Sequence, residues 1–534
     1  MAPFNPHSSE HRLFTGHSPH ARRWPTLLAV CAGCLQAASL AWPWALPEVF
    51  QFVGLIQGQA LWWGQILALS VLVLLLQGSD SPRSAAWCGW WFATAWLATT
   101  FGWLFTSMHT YGELSAPLAV LAVLILAGVL AAYTAGISWC FRAVALLNKA
   151  LIAIYFVALW TLAELARGLV LTGFGWGAVG YAQVNGPMAA ALSWVGMYGL
   201  SALAALLAVL TAFVLGARSW QAAVPPALSG VVLLGLMHVL PAPQGVSTGS
   251  LNVTLLQGNI AQDEKFDQSS GVPKALRWYG QQLAANRSAL IITPETALPL
   301  LPTQLPDAYW QALQLRFDQG AQAALVGIPL GSYTEGYTNS VVGFKPGQTD
   351  LWRYDKHHLV PFGEFIPPMF RWFTNLMNIP LGDFNRGALV QPTFDWQGQR
   401  LATSICYENL FGEELAAQFA DAAKAPTMLV NLSNLGWFGE HLAMDQHLQI
   451  ARVRALEFDR PFLLATNTGR TAVVDHLGRV TAALPNHVAQ ALTADVQGRE
   501  GITPYAWWAS RWGQGPLVVL SLLVVMGVWL SRKS

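Results

Sequence analysis

The stretch LATSICYENLF, residues 401–411, decides how the chain is read: an apolar run of strand length breaks at Cys406 into Tyr407, Glu408 and Asn409. A strand that stops at a thiol, with a carboxylate two residues on, can present the sulfur at the mouth of a pocket, where a cysteine nucleophile belongs. Taken alone, a single cysteine is more often a small buried hydrophobe. Its setting argues otherwise. Of the five cysteines, Cys31, Cys34, Cys88 and Cys140 lie in the very apolar first half, which leaves Cys406 alone in the polar second half, with no neighbour for a disulfide or a zinc site.

The 534 residues are 54% apolar and only 11% charged, against roughly 25% charged in an ordinary soluble domain. So little charge cannot cover the surface in water, and part of the chain must be solvated by lipid. The net charge of +1 carries no basic excess, which excludes a nucleic-acid partner.

Four regions follow. Residues 1–24 form a polar tail expected on the cytoplasmic side, 25–241 a helical membrane domain of about seven spans, 249–511 a layered α/β domain, and 514–531 a last membrane helix. Apolar windows near 20 residues place the spans at about 25–43, 55–77, 86–107, 115–135, 150–168, 187–215, 221–240 and 514–531. The second is interrupted by Gln51, Gln57 and Gln59. With the N-terminus inside, Arg22, Arg23, Arg83, Arg142, Lys149, Arg218, Arg532 and Lys533 all fall on the cytoplasmic side, and the connections 108–114 and 169–186 carry no lysine or arginine. The positive-inside rule then puts the large polar domain outside the cytoplasm. Within the fifth span, Glu164 and Arg167 sit three apart on one helix face. Such intramembrane charges suggest substrate contact, and an ion pair that only fixes helix depth is an equal alternative. The Gly-rich LTGFGWGAVGY that follows suits a loop lying on the bilayer surface.

In the polar half, strand runs at 251–257, 289–292, 324–330, 339–344, 353–367, 401–406, 427–434 and 461–469 alternate with helical stretches from about 413 and at 442–458, and TAVVDHLGRV forms a hairpin turning at Asp475–Gly478. Polar residues gather just after strand ends, where loops converge. A thiol acyl-transfer site needs a nucleophile, a base and a cation for the oxyanion, and Cys406, Glu295 and Lys356 supply these types. A metal is not expected: His357 and His358 are adjacent and point apart, and His441 and His447 lack the spacing of a helical zinc pair.

The motifs LLQGNI with Lys265-Phe266-Asp267, TPETALP, YDKHHLVPFGEFIP, SICYENLFGE, NLSNLGWFG, ARVRALEFDRP and ATNTGRTAV make this half resemble the nitrilase, or carbon–nitrogen hydrolase, superfamily, whose Glu-Lys-Cys triad occurs in the same chain order. With ELARGLVLTGFGWGAVGY added, the chain from about residue 100 resembles the apolipoprotein N-acyltransferase family. That resemblance implies an αββα sandwich fused to about eight membrane spans, with no cofactor. It makes Glu295 the general base, Lys356 the oxyanion cation and Cys406 the nucleophile. Glu364 would be a second carboxylate, with Tyr407 and Glu408 supporting the nucleophile. Phe266, Asn434, Trp437, Glu164 and Arg167 are the residues expected to meet substrate. The sequence departs from the family pattern at Phe266, where Trp is common, at Leu435, which replaces an acidic residue, and at Thr468, which replaces an Asn.

The implied reaction takes an acyl chain from a membrane phospholipid, phosphatidylethanolamine in the first instance, and passes it through a Cys406 thioester to the α-amino group of a diacylglyceryl-cysteine apolipoprotein, at the periplasmic face of a bacterial inner membrane. The alternatives are a membrane-tethered amidase or nitrilase and a non-catalytic lipoprotein-binding protein. The intact triad argues against the second, and a membrane half larger than a tether needs argues against the first.

Overall fold

Ser81, Asn148 and Ser219 each stand just before an apolar helix and accept hydrogen bonds from its first turn: Ser84 N at 3.2 Å, Ala150 N at 2.8 Å and Ala222 N at 3.3 Å. They start the helices Pro82–Thr100, Lys149–Leu169 and Trp220–His238. The computed structural model describes residues 23–144, 146, 148–332, 334–348, 350–366, 384–440 and 442–531. The expected cytoplasmic tail lies almost wholly outside the described residues, as do Arg22, His441, Arg532 and Lys533.

A helix lies in each stretch read as a span: Arg23–Ala38, Trp62–Gln77, Pro82–Thr100, Ala116–Ala143, Lys149–Leu169, Leu192–Leu215, Trp220–His238 and Gly515–Ser531. Among the described residues four helical stretches are long and apolar enough to cross a membrane, at 116–143, 149–172, 189–215 and 220–238, and a fifth qualifies if Pro504–Trp512 and Gly515–Ser531, bent by 83°, form one span. The second stretch shortens for a visible reason. Residues 48–53 form a 3-10 turn ended by Gly54, Trp63 Nε1 donates to Val53 O at 2.8 Å, and the helix starts only at Trp62. The inner members are Lys149–Thr172 and Ala189–Leu215, 56% and 61% buried, whereas Ala116–Ala143 and Trp220–His238, 28% and 22% buried, turn most of their surface outward.

The polar half is built on two six-stranded sheets. The strands of one are β1 Val246–Gln257, β2 Leu290–Ile292, β3 Ala323–Ser332, β4 Gly336–Phe344, β5 Trp352–Asp355 and, from the end of the domain, β12 Gln490–Glu500; those of the other are β6 Phe394–Trp396, β7 Gln399–Ile405, β8 Met428–Ser433, β9 Phe462–Thr466, β10 Ala472–Val474 and β11 Val480–Ala483. Their orders are β12-β1-β2-β3-β4-β5 and β11-β10-β9-β8-β7-β6. In each sheet three central strands are parallel, β1-β2-β3 and β7-β8-β9, and the flanking pairs antiparallel. Alternate residues of both sheets, among them Leu251, Val253 and Leu255 of β1 with Ile292, Leu325, Leu401, Val430 and Leu463, form one core between the sheets. The opposite faces bury Ile291, Ala324 and Val326 under the helices Gly271–Ala285 and Tyr309–Asp318, and Ala402, Leu429 and Leu464 under Leu442–Phe458 and Pro504–Trp512. The expected αββα layering is therefore present. The stretch 353–367 reads in sequence as a strand throughout; among its described residues only Arg353–Asp355 join a sheet, with an isolated bridge between Pro361 and Phe365, because from Lys356 onward the chain turns to build the site.

The helix Leu442–Phe458 is buried on both faces although it carries many polar residues. One face covers the second sheet and the other meets the membrane helices. Several of its polar groups are satisfied across that junction: Gln446 Oε1 accepts from Trp176 Nε1 at 2.7 Å and Trp103 Nε1 at 3.2 Å, Gln449 Nε2 donates to Gly58 O at 2.7 Å, and Arg452 Nη2 donates to Asn185 Oδ1 at 2.7 Å. Glu457 pairs with Arg454 at 2.7 Å and accepts from Met197 N at 2.7 Å. Gly196, at φ +66, kinks the Leu192–Leu215 helix where a Cβ would collide with the Tyr505 ring. The two halves are thus joined by a specific polar interface.

Candidate active site

Glu295 follows β2, Lys356 follows β5, Cys406 follows β7 and Asn434 follows β8, so strand ends of both sheets deliver their side chains to one place. The Glu295 loop lies directly on β3, because Gly327 has no Cβ to strike Pro294 O. At the end of β7 the backbone turns sharply into the 3-10 helix Cys406–Leu410, and Cys406 takes φ +50. A left-handed conformation on a residue other than glycine costs of order 1–3 kcal/mol and persists only where its surroundings impose it.

Glu408 imposes it. Its Oε2 accepts from Ile405 N at 2.6 Å and Tyr354 Oη at 2.9 Å, and its Oε1 from His357 N at 2.7 Å and His358 N at 3.1 Å. One buried carboxylate thereby ties the cysteine turn to the lysine loop. Glu408→Gln would set an NH2 group against two donors that need an acceptor; it is expected to cost roughly 3 kcal/mol and to lower the thermal unfolding midpoint of the purified protein.

Lys356 Nζ meets Glu364 Oε1 at 2.8 Å and Glu295 Oε1 at 3.5 Å. Asn339 Nδ2 bridges the same two carboxylates, at 2.7 Å to Glu295 and 2.8 Å to Glu364, and Asn434 N donates to Glu295 Oε2 at 2.9 Å. Glu364 Oε2 accepts from Val360 N at 2.9 Å. Burial alone would lower the Lys356 pKa, but Glu364, Glu295 and Cys406 together carry it above the usual lysine range, so it is a fixed cation. Cys406 moves the other way: burial first, and Glu295 next, push its thiol up to about 12, while Lys356 and the Asn434 backbone pull it down. At neutral pH the sulfur holds its proton and becomes nucleophilic only as a base removes it.

The remaining expected residues fall at different distances from this cluster. Tyr407 turns toward the membrane half, donating from Oη to Gly173 O at 3.0 Å, its ring 6.3 Å from Phe174. Asn434 joins Gln262 at 2.6 Å and Asn467 at 3.2 Å. Trp437 stands edge-on to Tyr111 at 5.5 Å, and Phe266 is exposed on the outer side of Lys265. Glu164 and Arg167 are buried and make no ion pair with each other: Glu164 Oε1 accepts from Val179 N at 2.9 Å, and Arg167 Nη1 donates to the carbonyls of Phe174 and Trp176. They fasten the loop that carries Gly173. That loop does not simply lie on a surface: Val170 and Leu171 are exposed, but Trp176–Val184 are buried between the membrane helices and the polar half. Leu435 packs in the inter-sheet core beside Cys406 and Met444. Asn339 escapes a reading of the sequence alone; an amide in the strand run TNSVVGF, where Asn is unfavoured, is the available signal.

Residues 252–505, which hold the αββα sandwich and this cluster, match the family described as "Carbon-nitrogen hydrolase". Residues 49–210 match "Apolipoprotein N-acyltransferase N-terminal domain". Proteins named apolipoprotein N-acyltransferase are 52% identical in Verminephrobacter eiseniae, covering 92% of this chain and 93% of that protein, and 42% identical in Ralstonia nicotianae, covering 88% and 90%. A third, from Bordetella bronchiseptica, is 38% identical over 88% of this chain and 92% of its own length. The chain belongs to the apolipoprotein N-acyltransferase family.

Proposed function

We propose that this chain moves an acyl group from a membrane phospholipid, phosphatidylethanolamine in the first instance, to the free α-amino group of a diacylglyceryl-cysteine at the N-terminus of an apolipoprotein, through a thioester on Cys406. The observation that carries this reading is the buried Cys406, placed with the ion-paired Glu295 and Lys356 and set on a turn whose next residue, Tyr407, is bonded to the membrane half.

Glu295 takes the Sγ proton as sulfur attacks the ester carbonyl carbon. The carbonyl π electrons move to oxygen, and Lys356, with a backbone N–H near Tyr407, stabilises the oxyanion. Collapse breaks the ester C–O bond; the leaving lysophospholipid oxygen takes the proton from Glu295, and the acyl group stays on sulfur. The acceptor amine then attacks the thioester, Glu295 takes the amine proton, and the C–S bond breaks with that proton returned to sulfur. A lipopeptide with a free N-terminal amine should be N-acylated, and the same peptide with its amine blocked should not; fatty acid release without an acceptor would favour the amidase-type reading.

The arrangement we favour has all eight helices crossing a bacterial inner membrane, with residues 249–511 on the periplasmic face and both ends in the cytoplasm. Arg83, Arg142, Lys149 and Arg218 support it, because they sit at the helix connections away from the polar half, whereas Gly58, Asn185 and Thr106 border that half. Compartment-sensitive reporters fused after Gly249 and after Ser534 are expected to read periplasm and cytoplasm. A cytoplasmic signal at Gly249 would contradict this topology and remove the reason for a phospholipid donor.

A further inference from the structure

Lys265 is 3% exposed, on the turn that follows β1. Its Nζ donates to the main-chain carbonyl of Glu295 at 3.1 Å, across the ends of the parallel pair β1 and β2. Phe266 covers it from outside, with Nζ 5.9 Å from the ring centroid. Among the described residues no carboxylate pairs with this ammonium directly; the charged groups that act on it are Glu295 and, across the pocket, Cys406. Asp263 and Glu264 share its turn, and Glu264 faces Lys274 at 4.0 Å.

A buried ammonium without a direct counter-ion is costly, and its position accounts for it. Glu295 and Glu364 both lean on the single cation Lys356. Two carboxylates on one ammonium leave that cluster one positive charge short. Resting on the proposed role of Glu295 as base, we propose that Lys265 is a positioning residue for that base: it anchors the Glu295 main chain and supplies the second positive charge that keeps the Glu295–Glu364–Lys356 cluster neutral and able to accept the Cys406 proton. When the ester is attacked, the proton moves to Glu295 and the negative charge to the oxyanion. The two lysines then balance Glu364 and the oxyanion, so no net charge is created in the pocket.

The test uses the full-length protein in mixed micelles of detergent and phosphatidylethanolamine, with single-turnover formation of acyl-Cys406 followed by intact mass from pH 6 to 10. Lys265→Met is expected to slow acylation by roughly ten- to a hundredfold, less than loss of a direct oxyanion donor. Lys265→Arg, which keeps the charge, should restore the rate to within a few-fold. Burial lowers the Lys265 pKa to about 8, against the pull of Glu295 and Cys406, so wild-type acylation should decline as pH rises through that value. The Arg variant, still cationic there, should not show that decline. Acylation by Lys265→Met at the wild-type rate would overturn the inference, and so would an Arg variant as slow as Met if both retain wild-type unfolding midpoints. Absence of acyl-enzyme in the wild type would instead overturn the reading of the site itself, with the role of Lys265 falling as its consequence.

Discussion

Cys406→Ala abolishes acyl transfer while leaving the fold intact: this is the largest effect expected from any single substitution. Only one sulfur is removed from a site whose geometry is set by Glu408, and the small vacated volume costs little stability. Cys406→Ser should be nearly as inactive. The thiol, pushed up to about 12 by burial, already needs a base to become nucleophilic, and a hydroxyl is a far weaker acid. Both variants should elute and unfold as the wild type does, and a product assay with phospholipid donor and lipopeptide acceptor measures the loss. Robust turnover by either would place the nucleophile elsewhere.

Lys356→Ala should lose a factor of about 100 to 1,000 in acylation rate, the usual value of one oxyanion donor, and removing the cation also leaves Glu295 and Glu364 unbalanced. Lys356→Arg should fail nearly as badly. The lysine side chain is 1% exposed between two carboxylates, and a planar guanidinium cannot take the place of a compact ammonium there. Near-normal single-turnover acylation by the Arg variant would reduce Lys356 to a structural charge.

Much of this is legible in the sequence because local signals agree. Apolar runs, strand lengths and the abrupt stop at Cys406 depend on neighbours in the chain, and the helices and most strands follow them, whereas the sandwich and the roles of Glu295, Lys356 and Cys406 are expected from the resemblance of the motifs around them. What stays hidden depends on residues far apart in sequence. Glu164 and Arg167 look like an intrahelical pair, yet each bonds main-chain groups of the loop at 174–179. Leu442–Phe458 reads as a polar helix, and only the fold shows its glutamines and arginines meeting the membrane half. Asn339 and Lys265 find their partners across strand ends, at Glu295. Glu408, two residues after the nucleophile, holds the turn by receiving four donors from two chain segments, 354–358 and Ile405.

The most direct test of the proposed thioester route is the mass of the Cys406 peptide after incubation with phospholipid alone. A long-lived acyl-sized increase is expected, removed by neutral hydroxylamine, absent in Cys406→Ala, and discharged when a diacylglyceryl lipopeptide with a free amine is added, with the acyl group recovered on that amine. No adduct at Cys406, or steady release of free fatty acid that the lipopeptide does not alter, would contradict it.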